Sequence, residues 1–283
     1  SVVKSKKAKV NNHSFLYSIK IADFYHEDSA KNMVKRMFDW EVMDIDEEFG
    51  LYDIKDGKTY CPCKTLYCEN CDLLFSDFRP LDEDASIYYD GYHSEEFFDM
   101  RCKTEPSFKG RLESIKKGTG DLTDGRFILF DKIEDFLKEY TNLHSKKFLK
   151  ILDYGGDGGI NTPFSELDTS EVHIFDINSN IRRKAKGKNK NEITNELYDL
   201  IVFRHVIEHL AYPTDSILSV INKLNGQGYI YIEVPYEPIM REDFSSSSEL
   251  VKSKKLWNEH INFFSPKAMK SIAKNISLKH IKT

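Results

Sequence analysis

The sequence predicts an α/β fold built on a parallel sheet, joined to a smaller cysteine-bearing N-terminal part. Three observations predict it. From about residue 121 onward, apolar strand-like runs alternate with amphipathic helical runs, the order that produces a parallel sheet. Two of those runs, 200–203 and 229–234, are almost continuously apolar, as strands covered on both faces are. Four of the five cysteines, Cys61, Cys63, Cys68 and Cys71, fall inside eleven residues. That clustering suits a thiolate metal site in a reducing compartment better than a disulfide framework.

The elements follow in order. Residues 1–60 form a mixed extension: a basic start, an alternating strand-like run through Phe15, Tyr17, Ile19 and Ile21, and a helix predicted around 30–40 from Met33, Met37 and Trp40. Residues 61–120 hold the cysteines and an aromatic tract with Tyr88, Tyr89 and Tyr92, and Gly118, Gly120 and Gly125 mark a boundary near 120. The 121–283 domain opens with a helix whose Phe130, Ile133, Leu137 and Tyr140 share one face. Strands are predicted at 148–154 and 172–177, with a weaker one around Ile193. A helix from Pro213 to Leu224, stopped by Gly226 and Gly228, separates the two strongest strands. Pro266 starts another helix, and 278–281 reads as a last strand.

Composition narrows the function classes. The 283 residues suit one large domain, or an ordinary one with a companion. With 40% apolar residues and 19 Phe and 15 Tyr, the chain has the material for a packed core and is not intrinsically disordered. No apolar run reaches membrane-spanning length and mean hydropathy is -0.52, so a cytoplasmic protein is expected. A net charge of -5 disfavours a nucleic-acid partner. The basic run Arg182 to Lys190 is read as a solvated helix face, with attraction of a phosphorylated acceptor as the alternative.

The segment ILDYGGDGGI places a glycine-rich turn after a buried strand and before a helix predicted to start at Thr162-Pro163. Glycine lets backbone N–H groups approach a ligand closely. Asp176 ends the next strand, 23 positions after Asp153, where a carboxylate can accept both hydroxyl protons of a ribose. A nicotinamide fingerprint fails, because the final glycine it needs is replaced by Ile160 or Asn161.

With Asp153 two residues before Gly155, the loop resembles the first motif, D-x-G-x-G-x-G, of class I S-adenosylmethionine-dependent methyltransferases; Asp157 replaces the middle glycine. The resemblance implies a Rossmann-like sheet with helices on both faces. It also implies a donor site formed by Asp153, Gly155, Gly156, Asp157, Gly159, Asp176 and His205. YDLIVFRHVIEHLAYP is similar to the H-V-x-E-H-x-x-x-P stretch of that class and places His205, Glu208 and His209 near the strand ends. VPYEP, at 234–238, lies after the following strand and is not the N-P-P-Y of nucleic-acid N-methyltransferases.

LWNEHINFFSPKAM resembles a segment of the sugar methyltransferase branch, E-H-x-x-x-F-S, whose Glu-His pair lines the acceptor pocket. It implies acceptor roles for Glu259 and His260, with His260 the leading general base and His209 and His205 as further catalytic candidates. The bland alternative is that the pair caps the helix at Pro266. CENCDLLFSDFRP and SIYYDGYH resemble the zinc-bearing domain that begins that branch, with Asp72 where glycine is expected. Structural zinc held by Cys61, Cys63, Cys68 and Cys71 is the leading reading, against three thiols with an outside ligand or none. Tyr88, Tyr89 and Tyr92 would face the acceptor. The expected function is O-methylation of a sugar or phosphorylated small molecule. C-methylation of a keto sugar, a non-catalytic scaffold spoiled by Asp157, and an RNA or protein methyltransferase are the alternatives.

Overall fold

The computed structural model describes residues 15–20, 42–46, 51–54, 59–60, 64–68, 70–76, 85–86, 89, 95, 99, 102, 122–123 and 126–127. It also describes 130–283 apart from 160, 178–187, 190–192, 194, 238–239 and 241–259. The helix expected around 30–40 lies outside these residues, as do Cys61, Cys63, Tyr88, Tyr92, Glu259 and most of the basic run.

In chain order the strands of the N-terminal half are β1 (Phe15–Lys20), β2 (Val42–Asp46), β3 (Leu51–Ile54), β4 (Thr59–Tyr60), β5 (Lys64–Cys68), β6 (Leu73–Ser76), β7 (Leu122–Thr123) and β8 (Arg126–Phe127). Helix α1 (Phe130–Tyr140) leads into β9 (Leu149–Tyr154), β10 (Ser170–Phe175), β11 (Lys188–Asn189) and β12 (Tyr198–Arg204). Helix α2 (Pro213–Ile221), β13 (Leu224–Glu233), β14 (Asn262–Phe264) and α3 (Pro266–Asn275) follow.

Strands β9 to β13 form one sheet in the order β11-β10-β9-β12-β13, and every pairing in it is parallel. Strand β12, held between β9 and β13, is buried along its whole length. Its side chains alternate between two cores, with Leu200 and Val202 facing α1 residues Ile133 and Leu137, and Ile201 and Phe203 facing α2 and α3 through Ile217, Val220 and Ile272. The period of two along a strand buried on both faces is why this run reads as nearly continuous hydrophobe. Helices therefore cover both faces, as expected.

A second sheet, β1-β5-β6-β14, is antiparallel. Its edge strand β14 comes from the far C-terminal part of the chain and pairs Phe263 with Leu74. The cysteine hairpin and the segment after His260 are thereby tied together.

Four local expectations need correction. No helix starts at Thr162: 161–169 is a run of turns, because Phe164 takes φ +62°, incompatible with a right-handed helix. The third strand is the short β11 at Lys188–Asn189, ahead of Ile193. Helix α2 stops at Ile221, and Gly226 and Gly228 lie inside β13. The pairing jumps from Tyr198↔Leu224 to Leu200↔Tyr229, so the glycines serve a bulge on an edge strand. Finally, 278–281 adds no strand. Ser277 at φ +58° ends α3, with its N–H on the Lys274 carbonyl and the Leu278 N–H on the Ala273 carbonyl. That left-handed cap turns Leu278 onto the core.

Candidate active site

The site lies at the carboxyl ends of β9, β10, β12 and β13, where open parallel sheets bind ligands. Asp153, near the end of β9, is 3% exposed and accepts a hydrogen bond from the Thr162 hydroxyl. Burial pushes its carboxyl up to about 6, against the pull of Thr162 and Arg204 and with help from the nearby Asp176 and Asp157 charges. The predicted helix start is thus a carboxylate partner.

The glycine loop closes tightly on this group. The Gly155 N–H donates to the Phe175 carbonyl at 2.6 Å, binding β9's end to β10's. A Cβ on Gly155 would sit 2.5 Å from Val206 Cγ2, and one on Gly156 would sit 2.4 Å from the Asp153 carboxyl. Both glycines are required by packing. Asp157 takes φ +47°, a left-handed conformation that Asp tolerates better than most residues, so the aspartate keeps a glycine-like backbone. Its N–H donates to Asp176 Oδ2 at 2.7 Å, joining the loop to the acid after β10. Gly159, at φ +70°, closes the turn through its N–H to the Gly156 carbonyl.

Three carboxylates, Asp153, Asp157 and Asp176, therefore surround a glycine turn with Arg204 as a nearby countercharge. Coulomb's law makes this a poor cradle for pyrophosphate and a good one for a cationic ligand. A sulfonium donor with a ribose for Asp176 to hold fits the residues present.

The loop after β12 builds the other wall. His205 takes φ +53° and its Nε2 lies 3.1 Å from Glu233 Oε1. Burial opposes its charge, yet Glu208 and Glu233 outweigh that and push it up to about 9. Arg204 Nε donates to Glu233 Oε2 at 2.9 Å and its Nη1 donates to the Asn161 carbonyl at 3.0 Å, linking the strand ends to the glycine loop. Glu208 is buried, which works against its charge, but the three histidines around it hold it below the ordinary carboxylate range.

His209 and His260 meet here with ring centroids 4.8 Å apart in an edge arrangement. The Tyr89 hydroxyl lies 3.0 Å from His209 Nδ1, and His260 Nδ1 lies 2.7 Å from Glu237 Oε1. Asn262 brings these histidines together: its side-chain amide donates to the carbonyls of Ile207 and Leu210 at 3.1 and 2.8 Å. The backbone N–H groups of Ile261 and Asn262 donate to the Glu208 carbonyl. His260 is no helix cap, because Ser265 caps α3 by accepting from the Ala268 N–H at 3.1 Å.

Sequence reasoning missed Glu237, Glu233, Arg204, Thr162 and Asn262. Glu237 lies in VPYEP, set aside above as a misleading look-alike. Its place just beyond the carboxyl end of β13 was the signal that could have found it.

A family model described as a methyltransferase domain matches residues 126–282, more than half of the 283-residue chain. The chain belongs to this family. It is an S-adenosylmethionine-dependent methyltransferase. Among solved structures, the methyltransferase is similar to the plantazolicin methyltransferase BpumL in complex with a monoazolic desmethylPZN analog and SAH. The TM-score is 0.43 at 16% identity, covering 66% of this chain and 72% of that one. For BamL, another plantazolicin methyltransferase, the values are 0.41 and 16%, covering 66% and 69%. For the YcgJ protein from Bacillus subtilis they are 0.37 and 12%, covering 52% and 68%. No curated protein is a significant match to the methyltransferase. Among the described residues, no helix is long and apolar enough to cross a membrane.

On the cysteine side, Cys68 ends β5 fully buried and Cys71 sits in the turn to β6. Asp72 has φ +58° and donates its N–H to the Cys68 carbonyl at 2.8 Å, which explains why glycine is expected there. Burial and the neighbouring Cys68 push the Cys71 thiol up to about 12.

Proposed function

We propose that this methyltransferase transfers a methyl group to a hydroxyl of a sugar or sugar-derived small molecule, as in a surface glycan or nucleotide-linked precursor. The observation that carries the reading is the Glu237–His260–His209–Tyr89 chain standing at the same strand ends as the glycine loop. When bound, S-adenosylmethionine supplies an electrophilic methyl group on a sulfonium centre.

The remaining work falls to the chain's own residues. Asp176 holds the ribose hydroxyls, while Gly155, Gly156, Asp157 and Gly159 present loop backbone, with Asp153 fixing the loop from below. A sugar hydroxyl attacks poorly until it loses its proton. His260 accepts that proton on Nε2 while its Nδ1–H stays on Glu237, whose charge stabilises the imidazolium. Tyr89 orients His209 beside it, and His205 closes the donor side through Glu233. Tyr88, Tyr92 and Glu259 complete the acceptor wall in this reading, since aromatic faces suit pyranose rings.

Zinc on Cys61, Cys63, Cys68 and Cys71 would be structural, because four thiolates leave no open position. It would brace the β5–β6 hairpin against β14, and through β14 the position of His260. Metal analysis of the purified chain, before and after mutation of Cys68 and Cys71 to Ser, tests this.

The acceptor class is tested by incubating the chain with S-adenosylmethionine and a panel of nucleotide-linked and free sugars. The readout is S-adenosylhomocysteine release and a one-methylene mass gain on the sugar. Turnover on peptides or nucleic acid with none on any sugar would overturn the acceptor reading.

A further inference from the structure

Three side chains at the strand ends meet as a ligand set. Glu208, His209 and His260 each offer one ligand atom, and these atoms all lie within 4.8 Å of one another. Glu208 is 1% exposed, and among the described residues neither of its carboxylate oxygens accepts a hydrogen bond. His205 Nδ1 at 3.5 Å and His209 Nε2 at 3.8 Å from Oε1 stand at ion-pair distance only. A carboxylate buried this deeply is costly unless cations meet it; His205 is one such partner at 3.5 Å, and the spacing of the Glu208, His209 and His260 ligand atoms suits a second.

Both imidazoles are turned by outside partners. Glu237 holds His260 at Nδ1 and the Tyr89 hydroxyl holds His209 at Nδ1, so Nε2 is the nitrogen each can give a metal. A ring fixed in this way by a carboxylate or hydroxyl is the usual outer partner of a metal-ligating histidine.

We infer that Glu208, His209 and His260 bind a divalent first-row transition cation, which receives the acceptor's hydroxyl. Two imidazoles and one carboxylate suit zinc, manganese, iron or cobalt, and three protein ligands leave positions open, as a catalytic site requires. The inference rests on the reading that the acceptor occupies these strand ends, and it changes the activation step. The metal-bound hydroxyl gives its proton to a metal-bound hydroxide, which becomes water. The alkoxide oxygen then forms a bond to the methyl carbon as the carbon–sulfur bond breaks. The electron pair stays on sulfur and cancels the sulfonium charge. In the loaded protein His260 is a ligand and Glu237 a positioning residue.

Manganese is the probe of choice, because it prefers nitrogen and oxygen ligands to the thiolates of the cysteine cluster. The metal-stripped full chain is titrated with Mn2+ by electron paramagnetic resonance, beside Glu208→Gln, His209→Gln, Glu237→Gln and a Glu171→Gln control. Calorimetric titration with S-adenosylmethionine reports whether each variant keeps its donor loop. The expected result is one site in the parent and in the control, weakened at least about 10-fold in Glu208→Gln and His209→Gln and less in Glu237→Gln. Should Glu208→Gln fail to fold, His209→Gln and Glu237→Gln decide. No Mn2+ binding by a parent that still binds the donor, or unchanged binding in the folded variants, overturns the inference and leaves His260 as the proton acceptor. Loss of donor binding in the parent overturns the methyl-transfer reading beneath it.

Discussion

The two ends of the parallel sheet carry the same residue types and put them to different use. At the amino ends, Glu171, His173 and Glu196 also bring their ligand atoms within 4.8 Å of one another. There every group is answered from within: His173 bonds Tyr198 and Glu171 at 2.9 Å each, and Lys150 pairs with Glu196 and with Glu171. The lysine is the cation of that cluster. At the carboxyl ends, the Glu208 carboxylate has histidines at ion-pair distance and accepts no hydrogen bond among the described residues. A composition of His and Glu therefore does not define a site. A buried carboxylate answered only by imidazoles among the described residues, beside a ligand loop, does.

The sharpest way to break this comparison is His260→Ala. Turnover should fall about 10²- to 10⁴-fold with S-adenosylmethionine affinity nearly unchanged, measured by steady-state kinetics beside calorimetry. A fully active variant would remove His260 from the chemistry.

Asp153→Asn tests the buried acid beneath the loop. The native state holds this proton between about pH 4 and about 6, the window from the ordinary 3.8 to the raised value, where the unfolded chain has already released it. Stability from this group is therefore present at low pH and declines as pH rises through the window. The full change is about 3 kcal/mol. Urea unfolding from pH 4 to 7 should show the parent losing that amount relative to Asp153→Asn, and parallel curves would contradict the burial argument.

Asp176→Ala removes the Asp157 N–H acceptor and the proposed ribose contact, so donor affinity should weaken by about 1.5–3 kcal/mol, the range for hydrogen bonds to a charged group. Equal affinity by calorimetry would move the donor elsewhere. The smallest effect belongs to the amino ends: Glu171→Gln should change stability by about 1 kcal/mol or less and leave turnover alone. A large loss of turnover there would dissolve the contrast between the two ends.

Much of the proposed donor half was legible in the chain. Asp153, Gly155, Gly156 and Asp176 are close in sequence to the strands that place them, so a strand, a tight turn and a following acid suffice to mark the loop. Asp157 was read as a departure from the motif, but its left-handed backbone shows that the conformation survives the substitution. The acceptor half was legible only in pieces. His209 and His260 are identified by their own motifs, whereas Glu237, Asn262 and Tyr89 matter because of what they touch across gaps of 23 to 120 positions.

By itself the sequence determined the alternating strands and helices, the doubly covered strand β12 and the glycine turn, because each depends on side-chain period, glycine conformation and local order. It misjudged the element ends where a local bond or a left-handed residue decides, at Thr162–Phe164 and at Ser277. Only the tertiary structure decided that β14 joins the cysteine hairpin's sheet, that Asn262 draws His260 against His209, and that the two His–Glu clusters differ. The reason is physical: whether a buried charge is answered depends on which side chains from distant strands arrive beside it, and that is set by the packing of the sheet.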